Sequence, residues 1–262
     1  MIFLSLALAA ASTPSFEVVD RAGSRVDMIG VRGLQWWEPR EASTPHCSEG
    51  AAPRWCVSAS RNDDQGWTLT ISNAATSRTA HVRLPALEGP GASLIVWSQL
   101  IRGADGSILA GVERTDRGGL SGGDWQKTRV ILVRVTAETE AIVLDLPVLG
   151  VAAIRACFDE RDRRRRRDAC RDDYALRGIL NLDTENASPT PALSVETIAT
   201  TYPGRRTRSE DSRGGRRLRR QDLTYWRDPV CSYMRRYRFD AAAGRYLPES
   251  PVPACADYLD LE

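Results

Sequence analysis

Thr128-Arg129-Val130-Ile131-Leu132-Val133-Arg134-Val135-Thr136 decides the fold class of this chain. Its β-branched residues favour a strand, and the run Val130 to Val133 is apolar on both faces. A strand of that kind belongs in the middle of a sheet or between two layers. Working outward, similar segments rich in Val, Ile, Leu, Thr and Trp recur along the chain, bounded by Gly, Pro, Asn and Asp. Strands are expected at Trp55 to Ser60, Trp67 to Asn73, Thr79 to Leu84, Ser93 to Arg102, Ser107 to Arg114, Ala141 to Val148 and Val151 to Phe158. Further strands are expected at Ala175 to Asn181, Leu193 to Tyr202 and Asp222 to Phe239, the last broken near Pro229.

The last of these illustrates the half-buried pattern, with Cys231, Tyr233, Tyr237 and Phe239 on one face and Ser232, Arg236 and Arg238 on the other. Ala104-Asp105-Gly106-Ser107 and Asp240 to Gly244 have the composition of hairpin connections. No segment keeps a 3.6-residue period over helical length, and the one helix worth expecting is short, near Asp168 to Leu176. The fold class is therefore all-β, with antiparallel multi-strand sheets arranged as a β-sandwich or in the manner of a partial β-propeller. The spacing of the strands fits both, and no internal repeat separates them.

Met1 to Ala11 is an apolar run ending in three alanines, which reads as a signal peptide cleaved before Ser12. That leaves 12–262 as a single exported β domain, periplasmic or secreted. The run is shorter than the roughly 20 apolar residues of a membrane span, and no transmembrane segment is expected elsewhere. Six cysteines in an exported chain imply three disulfides. They fall into local couples, Cys47 with Cys56, Cys157 with Cys170, and Cys231 with Cys255, each closing a short loop. A zinc site is excluded by spacing, since there is no Cys-x-x-Cys and the histidines are His46 and His81 alone. No calcium loop or phosphate-cradling glycine loop is present, so no cofactor or metal is expected.

The formal net charge is +2, and Lys127 is the sole lysine, so arginine carries nearly all the positive charge. Two stretches interrupt the β pattern. Asp159 to Asp173 holds Arg163 to Arg167 and is expected to be a hairpin loop clamped by Cys157 and Cys170, with seven arginines nearly balanced by six acids. From 203 to 221 the chain carries Arg205, Arg206, Arg208, Arg213, Arg216, Arg217, Arg219 and Arg220 against Glu210 and Asp211, and is expected to be a mobile loop. These eight arginines are the candidate ligand-binding residues. Guanidinium groups pair with phosphate and carboxylate in a fork, so the expected partner is an acidic envelope polymer or protein. Nucleic acid is disfavoured because no aromatic residues interleave the arginines. Trp37 and Trp226, each adjacent to a second aromatic residue, are candidates for stacking on sugars. Asp63-Asp64 and Asp172-Asp173 are acidic pairs, but neighbours on a strand face opposite ways and cannot form a joint site.

Two short motifs point to catalysis instead. Gly119-Leu120-Ser121-Gly122-Gly123 fits the G-x-S-x-G nucleophile pattern, although a strand rather than a helix is expected after it. Thr44-Pro45-His46-Cys47 resembles the histidine motif of trypsin-like serine proteases, and the Ser121 motif is similar to their nucleophile motif. That resemblance implies His46 as general base, Ser121 as nucleophile and Asp63 or Asp64 as the orienting carboxylate. The chain departs from the family where Leu120 replaces the aspartate before the nucleophile. The preferred reading is a non-enzymatic exported binding module of the cell envelope that uses the arginine segment; a secreted serine hydrolase is the alternative.

Overall fold

The computed structural model describes residues 18–29, 43–48, 54–61, 66–86, 92–120, 122–209 and 217–261. In chain order the strands are β1 (Val18–Val19), β2 (Arg25–Met28), β3 (His46–Cys47), β4 (Trp55–Arg61), β5 (Trp67–Asn73), β6 (Arg78–Leu84), β7 (Ser93–Val96) and β8 (Gln99–Arg102). They continue as β9 (Ile108–Leu120), β10 (Gly123–Val135) and β11 (Glu140–Arg155), followed by helix α1 (Glu160–Arg166). Then come β12 (Arg171–Leu182), β13 (Leu193–Tyr202), β14 (Trp226–Arg227), β15 (Met234–Asp240), β16 (Arg245–Pro248) and helix α2 (Ala256–Leu259). The protein is all-β, with 56% of the described residues in strands.

Among the described residues these strands form two antiparallel sheets. The larger runs β1-β2-β8-β9-β10-β11-β12-β13-β15-β16, with β7 paired to β9 and β14 to β13; the smaller runs β3-β4-β5-β6. The small sheet stacks on the large one: Val57, Leu69, Ile71 and Val82 share a core with Leu94, Val112, Ile131 and Val133. On the other face of β10, Val130 and Leu132 pack with Leu144, Leu180, Leu193, Tyr237 and Tyr246 in a second core. Val130 to Val133 are all buried, as their two-faced apolar pattern requires. The three disulfides are Cys47–Cys56, Cys157–Cys170 and Cys231–Cys255. Among the described residues no helix is long and apolar enough to cross a membrane.

Several expected elements differ in extent. The single strand expected from Ser93 to Arg102 is split, because buried Trp97 donates its N–H to the Gly111 carbonyl and Ser98 accepts from Ile29. The two strands expected from Ala141 and Val151 are one, β11, bent by register shifts opposite Thr128/Arg129 and Leu132/Val133. Gly150 does not interrupt it; a Cβ there would lie 2.0 Å from the Tyr258 carbonyl oxygen, so this glycine is where α2 rests on the sheet.

The helix expected near Asp168 to Leu176 is not there; β12 occupies that stretch from Arg171, and the helix lies within the charged segment instead. Asp159 caps it by accepting from the Asp162 N–H, acids fill its first turn and arginines its last, which complements the helix dipole. The strand expected from Asp222 survives only as β14 and β15, because the Asp228 carboxylate accepts from the Val230 and Cys231 N–H groups and turns the chain.

Candidate functional site

The two arginine-rich segments, far apart in sequence, meet in space. The Leu218 N–H donates to the Arg165 carbonyl at 3.0 Å, and Arg167 Nε donates to the Leu218 carbonyl at 3.0 Å. Leu218, the single leucine of the second segment, is buried there at 2% exposure. Around this anchor Arg161, Arg164 and Arg167 from the α1 segment are exposed, as are Arg217, Arg219 and Arg220. Together they form a basic ledge.

The base of the ledge is rigid. Arg166 is 1% exposed and its guanidinium pairs with Asp172, also 1% exposed, while its Nε donates to the Ala169 carbonyl at 2.8 Å. Arg163 pairs with Asp168, and Arg165 with Asp162. The Cys157–Cys170 disulfide closes the segment below α1.

The arginines singled out from sequence are not equivalent. Arg205 is exposed and stacks over Trp226, 5.3 Å from the ring centroid, so that tryptophan is already covered on one side. Arg206 is buried. Arg208 faces α2: its N–H donates to Asp257 at 2.9 Å and its guanidinium to the Asp260 carbonyl at 2.6 Å. Arg213, Arg216 and Trp37 lie outside the described residues. Arg206 and Arg208 therefore hold the segment to the body of the protein, and the exposed basic surface comprises Arg161, Arg164, Arg167, Arg217, Arg219 and Arg220.

Of the residues in the hydrolase reading, the described structure contains His46 alone. His46 is buried in β3 opposite Val57, in the small sheet, and not in a loop as its neighbours Pro45 and Cys47 suggest. Ser121, Asp63 and Asp64 lie outside the described residues. Leu120 pairs with Gly123 where β9 turns into β10, and the core shared with the small sheet begins on β10 only at Ile131. His81 is exposed on β6 and its Nδ1 lies 3.2 Å from the Thr70 hydroxyl. Asp172 and Asp173 point to opposite faces, Asp172 to Arg166 and Asp173 to Arg171. No group of three or more metal-ligating side chains occurs among the described residues.

A second surface, invisible in sequence, lies on the other face of the large sheet. In their N-terminal half the outward residues of β10, Asp124 and Gln126, are left uncovered and line a cleft of about 800 Å³. Leu149, Val151 and Ala153 of β11 form its floor, and Arg117, Arg171 and Arg177 its rim. Buried Thr115 and Thr128, with hydroxyls 2.9 Å apart, mark where this face passes from the open cleft into the second core.

Comparison of the chain with protein-family models, with curated proteins and with solved structures finds no match.

Proposed function

We propose that this protein is an exported, non-enzymatic binding module that holds an acidic partner, a polyuronate-like or phosphate-bearing envelope polymer or an acidic protein face, on the arginine ledge. The observation that carries this reading is the docking of Leu218 between the backbone of Arg165 and the side chain of Arg167, which joins two arginine segments into one surface. Exposed arginines joined in this way present several guanidinium forks to a chain of carboxylates or phosphates at once. A disulfide beneath α1 and the buried Arg166–Asp172 pair hold the forks in place before binding, which lowers the entropy lost on association. Three disulfides support an oxidising compartment outside the cytoplasm.

The test is retention on immobilised polygalacturonate across a salt series. The native protein is expected to bind, with affinity falling steeply as salt rises, because counterions are released when charges pair. R217Q/R219Q/R220Q is expected to weaken binding and flatten the salt dependence. Equal binding by the native and triple-variant proteins at every salt concentration removes the ledge as the contact surface.

A further inference from the structure

The ledge lies on one side of β12, and the opposite side carries the cleft. We propose that the cleft between Arg117 and Arg177 binds a single-chain anionic lipid, its headgroup between the two guanidinium groups and its acyl chain across Ile198, Ile179 and Met234.

The electrostatics of the cleft divide it into two ends. At one end Arg171 pairs with Asp173, and Asp124 adds further attraction, so that end is internally balanced. At the other, Arg177 is exposed and, among the described residues, neither it nor Arg117 forms an ion pair; Arg117 donates to the neutral Gln126 at 3.4 Å. Register places Arg117 on β9 and Arg177 on β12, on either side of the β10–β11 pair whose Gln126, Leu149 and Val151 line the cleft. An anion seated over that floor meets a guanidinium from each side.

The apolar track starts there. Arg177 is opposite Ile198, Ile179 is opposite Glu196, and Glu196 is opposite Met234, so these side chains share the outer face of β12, β13 and β15. Ile179, Ile198 and Met234 are 60%, 43% and 63% exposed, a concentration of large apolar side chains that solvent alone does not favour. From β11 to β15 is three strand spacings, about 14 Å. One acyl chain reaches about 15 Å, half the hydrocarbon thickness of a bilayer. Glu196 stands in the far row and repels an anion placed there, so the headgroup is directed to the arginine end.

The experiment is calorimetric titration of the full chain with oleoyl lysophosphatidic acid below its micellar concentration. The same-chain lysophosphatidylcholine and inorganic phosphate serve as the other ligands. One lysophosphatidic acid is expected per protein, at least about tenfold tighter than the choline lipid, since the headgroup anion accepts charge-assisted hydrogen bonds. R177Q is expected to lose about tenfold for lysophosphatidic acid and little for the choline lipid. I198S and M234S are expected to weaken both lipids by a similar factor, because each buried methylene contributes roughly fourfold. The ledge variant R217Q/R219Q/R220Q is expected to bind as the native protein does, so failure of the ledge reading leaves this result unaffected.

Equal affinity for the two lipids, no change in R177Q, or inorganic phosphate binding as tightly as lysophosphatidic acid each overturns the proposal. So does a dimer in sedimentation that I198S dissociates while no lipid binds, which assigns the face to a second copy.

Discussion

Removing the carboxylate of Asp172 is the perturbation whose consequences reach furthest from structure to function. Asp172 and Arg166 are each 1% exposed and pair inside the protein, and the Arg166 Nε also donates to the Ala169 carbonyl. Truncating one partner leaves the other charge buried without compensation, which costs about 3–5 kcal/mol. For a chain of this size each kcal/mol lowers the melting temperature by roughly 2–4 °C, so Asp172→Ala is expected to melt roughly 6–20 °C below the native protein. Urea unfolding with the disulfides intact reads the same quantity as a shift in midpoint.

The neighbouring substitution Asp173→Ala is the control. Its partner Arg171 has a 66% exposed side chain, so that pair is worth about 0–1 kcal/mol. Arg166→Met combined with Asp172→Leu is expected to recover most of the loss, since an apolar pair needs no charge compensation. The functional consequence follows from Leu218, whose partners Arg165 and Arg167 flank Arg166. Asp172→Ala is expected to weaken polygalacturonate binding well below the unfolding midpoint, and Asp173→Ala is not. A destabilisation of under about 1 kcal/mol in Asp172→Ala would mean that water reaches the pair and that it does not brace the ledge.

Two further perturbations probe the rest of the body. Gly150→Ala places a methyl group 2.0 Å from the Tyr258 carbonyl oxygen, so α2 must shift; a loss of about 1–3 kcal/mol is expected in urea, with Arg208 released from Asp257. The second concerns pH. Burial raises the Asp105 carboxyl, but hydrogen bonds from Ser107 and Arg134 outweigh it and leave the group below its ordinary value of 3.8. A lowered carboxyl stabilises the fold above its unfolded value and loses that contribution as pH falls through the folded one. Acid unfolding of Asp105→Asn, followed below about pH 4, is therefore expected to show a shallower decline than that of the native protein. Burial also pushes the Tyr237 phenol up to about 12. Its contribution is complete below about pH 10 and lost as pH rises toward that value, so Tyr237→Phe is expected to retain more stability in that alkaline window.

What the sequence discloses is what depends on near neighbours. The three disulfides are legible because each couple is local, and Val130 to Val133 announces a strand covered on both faces. The turns at Ala104 to Ser107 and Asp240 to Gly244 follow from their Asp and Gly residues. The length of β11 is not legible, because Gly150 reads as a break until α2 is seen resting on it. Nor is α1, which at seven residues is too short to stand alone and depends on the Arg166–Asp172 pair. One signal for the ledge was present: Leu218 is a lone leucine in a strongly charged segment, and such a residue needs somewhere to bury. The cleft had none, since it arises from cross-strand register between residues as distant as Arg117 and Arg177.

Strand β12 connects the two surfaces and keeps them separate. Its inward residues Asp172, Tyr174 and Leu176 are buried, and they serve the ledge and α2: Asp172 holds Arg166, Tyr174 donates its hydroxyl to the Thr207 carbonyl, and Leu176 packs with Tyr258. Its outward residues Arg171, Asp173 and Arg177 belong to the cleft side. The period of two along one strand thus assigns alternate positions to different surfaces. Substitutions of opposite parity, such as Asp172→Ala and Arg177→Gln, share no partner. Their effects on polygalacturonate and on lysophosphatidic acid are therefore expected to combine additively in the double variant. A coupling beyond about 0.5 kcal/mol would show that the two surfaces respond to each other through the backbone of β12.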